Sequence, residues 1–271
     1  MKSWLFRYAV FVALCVFVAI ICGAWETSVR GAPGAADTTV NGLHFAAGIG
    51  AAVLMLGLSI WMAVAGFRAL GGLALILTVM DYVCGMTLAP VSHAICAQLV
   101  LAVAAASAVC TSSDWRRGPE LVYDAGWPSL RSLAVITPVL VLAQVILGAA
   151  FRHKVAGLTW HIVGAMVVSL SVLLLGMFVM QQFPKHSALR LPAIALLTIV
   201  VVQVLLGIAA ITAEMMAPDN TTPNSVMLTT AAHVAVGSLT LAASVVLSIQ
   251  IRRNVLKPVE EPEQGQTVGQ A

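Results

Sequence analysis

The chain is predicted to be an all-α, polytopic membrane protein. Three observations predict this class: the composition, the lengths of the apolar stretches and the distribution of the basic residues. Of the 271 residues, 60% are hydrophobic and only 9% are charged, and the mean hydropathy is +0.98. A soluble domain of this length needs a larger share of charged residues to cover its surface. The composition therefore excludes a soluble protein.

Eight apolar stretches are long enough to cross a hydrocarbon core, which is about 30 Å thick and takes about 20 helical residues. Backbone polar groups inside lipid must be paired within the protein, and a helix pairs them within one segment. The stretches lie near residues 8–24, 41–64, 69–88, 90–112, 132–151, 158–180, 189–213 and 226–250. The sequence thus predicts a bundle of eight transmembrane helices.

The basic residues predict the orientation of this bundle, since Lys and Arg are retained on the cytoplasmic side. With the N-terminus inside, eleven Lys and Arg residues fall in cytoplasmic segments. Only Arg30, Arg152 and Lys154 fall in outer loops. We therefore expect both ends of the chain to be cytoplasmic. No amphipathic, Arg- and Ser-rich leader precedes the first helix, which favours a bacterial-type inner membrane.

An internal repeat divides the chain into two pseudo-symmetric halves of four helices, residues 1–112 and 132–251. In each half the odd-numbered stretches carry a position that is followed four residues later by glycine, and the even-numbered stretches carry a histidine near their start. Residues 113–131 are rich in charge, Gly and Pro and are expected to form a cytoplasmic linker. Residues 252–271 are polar and are expected to be a disordered cytoplasmic tail.

The repeat places four histidines at equivalent positions. Each set consists of a first residue, a glycine four positions later and a histidine near the start of the next helix, and the first residue is polar in three of the four sets. Written as first position, glycine and histidine, the sets are Ala19, Gly23 and His44; Asp81, Gly85 and His93; Gln144, Gly148 and His161; and Gln203, Gly207 and His233. The four histidine helices run in the same direction, so their imidazoles are expected at one depth, near the outer surface. A polar side chain in a membrane is costly and usually faces the bundle interior.

Each histidine is followed four residues later by a small residue, and positions i and i+4 share a helix face. These residues are Gly48, Ala97, Ala165 and Gly237. A flat macrocycle fits such a bare patch, and two histidines on facing helices can supply both axial nitrogens to a heme iron. Alternatively, each histidine is a hydrogen-bonded structural residue and the small residues serve helix packing. The fourfold repetition favours heme ligation over the structural interpretation. Zinc is less favoured, because no carboxylate or cysteine shares the spacing.

Four other polar residues need an interpretation. Asp81 is a carboxyl group inside a helix, either a proton carrier or a hydrogen-bonding group that replaces Gln. Arg152 and His153 lie in an outer turn, where the Arg152 guanidinium is expected to bind heme propionates or lipid phosphate. His186, in a cytoplasmic loop, is expected to be solvated. The five cysteines lack the spacing of a metal site and are expected to be packing residues.

Several stretches, taken in order, resemble the heme A synthase family over nearly the whole chain apart from the tail. They are Pro90 to Ala94 with Gln98, Gln144 to Gly148 with Arg152 and His153, His161 to Ala165, Gln203 to Gly207, and Ala232 to Gly237. The resemblance implies that His161 and His233 bind a heme b cofactor and that His44 and His93 hold heme o as the substrate. It implies oxidation of a ring methyl of heme o to a formyl group.

The product implied by the resemblance is heme a for terminal oxidase assembly. A heme o synthase would supply the substrate, and the electron donor is unknown. The remaining partner is the lipid bilayer. Nucleic acid is not an expected partner, because the net charge of +3 is spread along the cytoplasmic loops.

The chain departs from the family mostly in the N-terminal half. The family commonly has a Glu three residues before its first histidine and an Arg just after it, where this chain has Asn41 and Phe45. We hypothesise that Glu26 or Asp81 replaces the missing acid. Glu26 falls in the first outer loop, residues 25–40, which is expected to be irregular.

Two other functions compete with the enzyme. The first is a non-catalytic, bis-histidine heme-binding membrane protein that transfers electrons or delivers heme, and the loss of the acid at Asn41 favours it. The second is a secondary transporter, which would also contain internal repeats. A transporter would be expected to have broken helices and a site near the midplane rather than four histidines near one surface.

Overall fold

The structure is a computed structural model that describes residues 2–30, 38–87, 89–124, 126–218 and 221–256. Nine helices and no β-sheet are found in these residues. The helices are α1 (Lys2–Arg30), α2 (Thr38–Val64), α3 (Arg68–Met86), α4 (Pro90–Thr111), α5 (Ser113–Arg117), α6 (Leu130–Arg152), α7 (Leu158–Gln182), α8 (Ser187–Met215) and α9 (Asn224–Asn254).

Eight of these helices, all except α5, are long and apolar enough to cross a membrane. This confirms the prediction of an all-α polytopic membrane protein. Several helices extend beyond the predicted apolar stretches, because the polar residues at their ends continue the helix. The clearest case is α1, which runs through Trp25 and Glu26 to Arg30. The prediction that residues 25–40 are irregular is therefore wrong for Trp25 to Arg30 and for the start of α2 at Thr38, while residues 31–37 lie outside the described residues.

The helices form two rings of four that share a wall. In the first ring α1, α2, α3 and α4 pack in order and α1 closes the ring against α4. In the second ring α6, α7, α8 and α9 do the same, and α9 closes against α6. The rings meet where α9 packs on both α4 and α1, whereas the contact between α4 and α6 is smaller. Two histidine-bearing helices, α4 and α9, therefore lie at the centre of the molecule.

Small side chains allow α4 and α9 to occupy the centre. Buried alanines and serines lie on the packed faces of both helices, including Ala104 and Ser107 on α4 and Ser238 and Ser244 on α9. In lipid the apolar solvent does not drive helices together, so close approach of backbones through small residues provides the packing. The hydroxyl of Ser107 donates to the carbonyl of Val103 within its own helix at 2.8 Å. This hydrogen bond leaves no polar atom of the side chain unpaired at the interface.

Each half has its own apolar cluster, and each cluster includes one small buried residue from the other half. Leu5, Met55 and Leu58 belong to the first cluster, which also includes Ala242 of α9. The second cluster is built on α6 to α9 and includes Ala102 of α4. The halves are therefore packed into one another at their shared wall.

The linker between the halves is fastened to the end of α9. The Glu120 N–H donates to Asn254 Oδ1 at 2.9 Å, and Val122 pairs with Asn254 and Leu256 through two backbone hydrogen bonds of 2.9 Å. Asn254 and Val255 are buried. The predicted start of a disordered tail at residue 252 is thus wrong, because residues 252–256 pair with the linker. The rest of the predicted tail, residues 257–271, lies outside the described residues.

His186 is buried rather than solvated, so that prediction is also wrong. Only 4% of the residue is exposed, and Nε2 donates to the Glu120 carbonyl at 2.9 Å. The reason is that the linker folds over the turn between α7 and α8. His186 therefore serves packing at the end of the bundle opposite the four predicted site histidines.

Candidate functional site

The structure brings the four repeated histidines together as two pairs, one in each half. The ring centres of His44 and His93 are 6.0 Å apart, with 64° between the ring planes. Those of His161 and His233 are 6.1 Å apart, with 84° between the planes. The two halves, whose sequences differ at most positions, thus place their histidines at almost the same separation.

Each imidazole lies against the repeat glycine of the preceding helix. A Cβ added to the glycine would lie within 3.3 Å of the histidine ring in every case. The distances are 2.7 Å from Gly23 to His44 Cε1, 3.3 Å from Gly85 to His93 Nδ1, 2.9 Å from Gly148 to His161 Cε1 and 3.0 Å from Gly207 to His233 Cε1. The repeated glycine is therefore a seat for the ring, and the absence of a side chain lets the imidazole reach the helix backbone.

Two histidines use this seat to reach the carbonyl four residues before the glycine. His93 Nδ1 lies 3.1 Å from the Asp81 carbonyl oxygen, and His233 Nδ1 lies 3.2 Å from that of Gln203. A carbonyl accepts only, so each Nδ1 carries the proton and donates it. The Nε2 atom then keeps its lone pair, which is the tautomer that binds a metal through Nε2.

Amide side chains surround the second pair. Gln144 Nε2 donates to the His161 carbonyl at 2.8 Å and also lies 3.0 Å from His161 Nδ1. Gln203 Nε2 lies 3.3 Å from His233 Nε2 and 3.0 Å from a Cβ added to Gly237. The bare patch predicted below His233 is therefore filled by Gln203. A macrocycle bound there has to displace this amide from the ligand nitrogen.

The patch below His44 is open, because a Cβ added to Gly48 meets nothing within 4 Å among the described atoms. The His44 ring also differs from the others in that its buried Nδ1 makes no hydrogen bond of ordinary geometry with a described group, although the Ala19 carbonyl acts on the ring. There is thus space beside His44, whereas the corresponding space beside His233 is filled by Gln203. The difference would be invisible in the sequence, since Gly48 and Gly237 occupy matching positions.

Both candidate acids lie at the first pair. Asp81 Oδ1 is 2.9 Å from His93 Nδ1, while the hydrogen bond from Nδ1 goes to the Asp81 carbonyl. Glu26 is 6% exposed and interacts electrostatically with both His44 and His93. Glu26 reaches this position because α1 remains helical beyond Trp25.

Arg152 lies at the boundary between the halves. It ends α6, and its Nη2 donates to the Ala24 carbonyl at 2.6 Å and to Ser28 Oγ at 2.9 Å, both on α1. Its Nη1 is buried without a hydrogen-bond partner among the described residues. The guanidinium also interacts electrostatically with His233. A buried, unsatisfied N–H of a cation is a suitable donor for a carboxylate.

His153, in the turn after Arg152, belongs to neither pair. Burial and, to a lesser extent, the Arg152 charge lower the pKa of the His153 imidazole below its ordinary value. The neutral form is therefore favoured next to the guanidinium. His153 contributes a helix end rather than a ligand, since its backbone N–H donates to the Ala149 carbonyl at 3.0 Å.

No cluster of three or more His, Cys, Asp or Glu residues that could hold a metal ion occurs in the described parts of the chain. All five cysteines are unpaired thiols. Cavities of about 440 Å³ and about 460 Å³ lie away from the histidines, one beside Phe67 and Arg116 and the other beside Thr212 and Pro223. The chemistry of the site therefore depends on the two pairs and on the polar residues that surround them.

The fold and the site define a polytopic membrane protein with eight long apolar helices and a histidine pair in each half. Comparisons of the chain with protein families, with curated proteins and with solved structures find no match.

The seat at Gly148 can be tested by adding one methyl group. Gly148→Ala places a Cβ 2.9 Å from His161 Cε1 and should displace the ring, and such overpacking typically costs about 1–3 kcal/mol. Gly50→Ala is the matched control, because a Cβ there meets nothing within 4 Å and alanine favours a helix by about 0.5–1 kcal/mol. We expect a lower midpoint of thermal unfolding in detergent for G148A only. Equal midpoints would contradict the seat.

Proposed function

We propose that the protein binds heme between its histidine pairs and oxidises the ring methyl of heme o towards the formyl group of heme a. The separation of the paired rings is the observation that carries the proposal. Imidazole nitrogens bind metals at about 2 Å. Two imidazoles that bind one metal from opposite sides would therefore have ring centres about 6 Å apart. The observed separations of 6.0 Å and 6.1 Å fit this geometry.

The ligand set supports a porphyrin rather than a bare ion. Two histidines leave an ion short of ligands, and the described residues offer no third ligand at either pair. A porphyrin brings four nitrogens of its own, so two axial imidazoles complete its iron. Following the resemblance, His161 and His233 would hold heme b, and His44 and His93 would hold heme o.

The protein's part in this chemistry is ligation, orientation and control of protons, while the bound iron supplies the redox chemistry. The glycine seats fix each ring against a helix. Arg152 would bind a propionate through Nη1, and its two hydrogen bonds to α1 hold the guanidinium in place. Glu26 is the better candidate for the missing acid, because it is buried and acts electrostatically on both histidines of the first pair.

One observation favours the non-catalytic alternative. The two pairs have nearly the same ring separation and the same glycine seats, which suits two hemes held in the same way. A protein of this kind would transfer electrons or deliver heme without altering it. Glu26 lies beside the first pair and has no counterpart in this role among the described residues at the second pair, and this difference between the pairs favours the enzyme.

The proposed setting is a bacterial-type inner membrane with both ends of the chain in the cytoplasm. The excess of Lys and Arg in the linker and in the turn between α7 and α8 supports this orientation. The histidine pairs would then lie towards the outer side. A heme o synthase would supply the substrate, terminal oxidase assembly would use the product, and the electron donor is unknown.

Heme content and chemistry test the proposed function directly. The full chain is expressed with a heme o synthase in bacteria that lack their own heme A synthase, and the extracted hemes are identified by chromatography and mass. We expect heme b together with heme a or its hydroxylated precursor. His161→Ala with His233→Ala should lose heme b, whereas His153→Gln, outside both pairs, should keep it. Heme b with unreacted heme o would favour the alternative, and a protein without heme would overturn both.

Glu26→Gln tests the role of the buried acid. The substitution keeps the size of the side chain and removes its ability to take up a proton. We expect heme content to stay near that of the unaltered protein and product formation to fall at least a hundredfold, since a positioned acid or base contributes about 10²–10⁴-fold. Glu120→Gln, at the opposite end of the bundle, is the matched control. Unchanged product formation in E26Q would show that another group handles the proton.

Reporter fusions test the orientation. Fusions made after Lys154, in the turn between α6 and α7, should be active with a reporter that works outside the cytoplasm. Fusions made after Lys185, in the turn between α7 and α8, should be active only with a cytoplasmic reporter. The two sites are one helix apart, so each is the control for the other. The reverse pattern would invert the proposed topology.

A further inference from the structure

The two histidine pairs differ in the group that contacts one of their rings. In the first half, two atoms of Asp81 lie against His93 Nδ1. The backbone oxygen at 3.1 Å accepts the Nδ1 proton, and the carboxylate Oδ1 lies at 2.9 Å as a charge contact without hydrogen-bond geometry. A negative charge therefore lies beside the His93 ring, whose Nε2 is left as the ligand atom.

The symmetry-related position of the second half carries a neutral group. Gln203 stands to His233 as Asp81 stands to His93, and its backbone oxygen lies at nearly the same distance, 3.2 Å, from Nδ1. The side chain of Gln203 is a neutral amide whose Nε2 lies 3.3 Å from His233 Nε2, so among the described residues no carboxylate lies beside His233 Nδ1 as that of Asp81 lies beside His93 Nδ1. The Arg152 guanidinium, which has the opposite sign, makes a minor electrostatic contribution at His233.

These differences act on the electron affinity of a metal bound to each pair. A carboxylate next to the imidazole of an iron ligand favours the higher charge of oxidised iron through its own negative charge. A nearby cation favours the reduced state. Burial strengthens both effects, because the effective dielectric constant is low away from water. Hydrogen bonding and charge around the axial ligand are among the main ways in which a protein sets a heme potential.

We infer that Asp81 is a positioning residue that holds the iron site of His44 and His93 at a lower reduction potential than the site of His161 and His233. The inference rests on the proposed heme binding and concerns its redox order. With heme bound at both pairs, a single electron would therefore reside at the second pair at equilibrium, and the first pair would hold oxidised iron.

The test is a potentiometric titration of the purified full-length protein with its bound heme, followed by visible absorption. We expect two one-electron waves, and His161→Ala should remove the upper one. Asp81→Gln should raise the lower potential by about 59 mV or more, which is a tenfold change in the one-electron equilibrium, without moving the upper wave. Asp114→Gln, on the exposed short helix α5, is the control that should move neither wave.

Exchanging the residues gives a second, independent reading. Gln203→Asp should lower the upper potential by a similar factor, and the D81Q/Q203D double variant should bring the waves together or reverse their order. If D81Q does not retain heme at the first pair, Asp81→Asn is used instead, because it removes the charge with a side chain of the original length. The shift of the upper potential in Q203D tests the inference independently of both.

The outcomes separate the inference from the proposed function. A protein without heme overturns the proposed function and the inference with it. Two bound hemes whose potentials coincide, or a D81Q variant whose lower wave stays in place while Q203D also has no effect, overturn the inference and leave heme binding intact. Shifts of the waves in the expected directions support the role of Asp81, because replacing a purely structural residue would not produce them.

Discussion

The close contact between an imidazole and a glycine backbone is the constraint on which the rest of this structure depends. Gly23, Gly85, Gly148 and Gly207 each leave a helix surface bare at one point, and a histidine from the next helix fills it. The contact fixes how deep each ring lies and how the two helices approach. Since it occurs four times, it also fixes the separation of the rings within each pair. The bundle around it can then vary without moving the histidines.

The central position of α4 and α9 follows from the same need for close approach. Each of these helices contributes one histidine to a pair and also forms the wall between the halves. Their small buried residues bring the two sites together, and Arg152 links the outer parts of the halves by bonding α6 to α1. The polar groups of the two sites are thus parts of one connected region, whereas the outer helices mainly present apolar side chains to lipid.

The helices are predictable from the sequence because apolar length determines the spans. The repeated spacing of glycine and histidine indicates four equivalent histidines, and the resemblance implies how they pair, but the contact of each ring with its glycine is seen only in the structure. The burial of His186 and the pairing of residues 252–256 with the linker depend on contacts between segments more than 60 residues apart, which no local pattern encodes. The Gly and Pro residues that follow Glu26 in the sequence predict an early end of α1, which would put Glu26 in a loop. The filling of the patch at Gly237 by Gln203 depends on a rotamer, which sequence spacing cannot give.

The unequal contacts at the shared wall bear on how a chain of this kind arises. In a symmetric dimer of two four-helix chains, the contact of α1 with α9 and that of α6 with α4 would be the same contact repeated. Here the first is larger than the second. Thr27 occupies the position in α1 that Arg152 occupies in α6, and Thr27 bonds only its own helix, at Gly23. When two copies are joined in one polypeptide, each half can acquire substitutions independently, so one half can specialise without the same change occurring in the other.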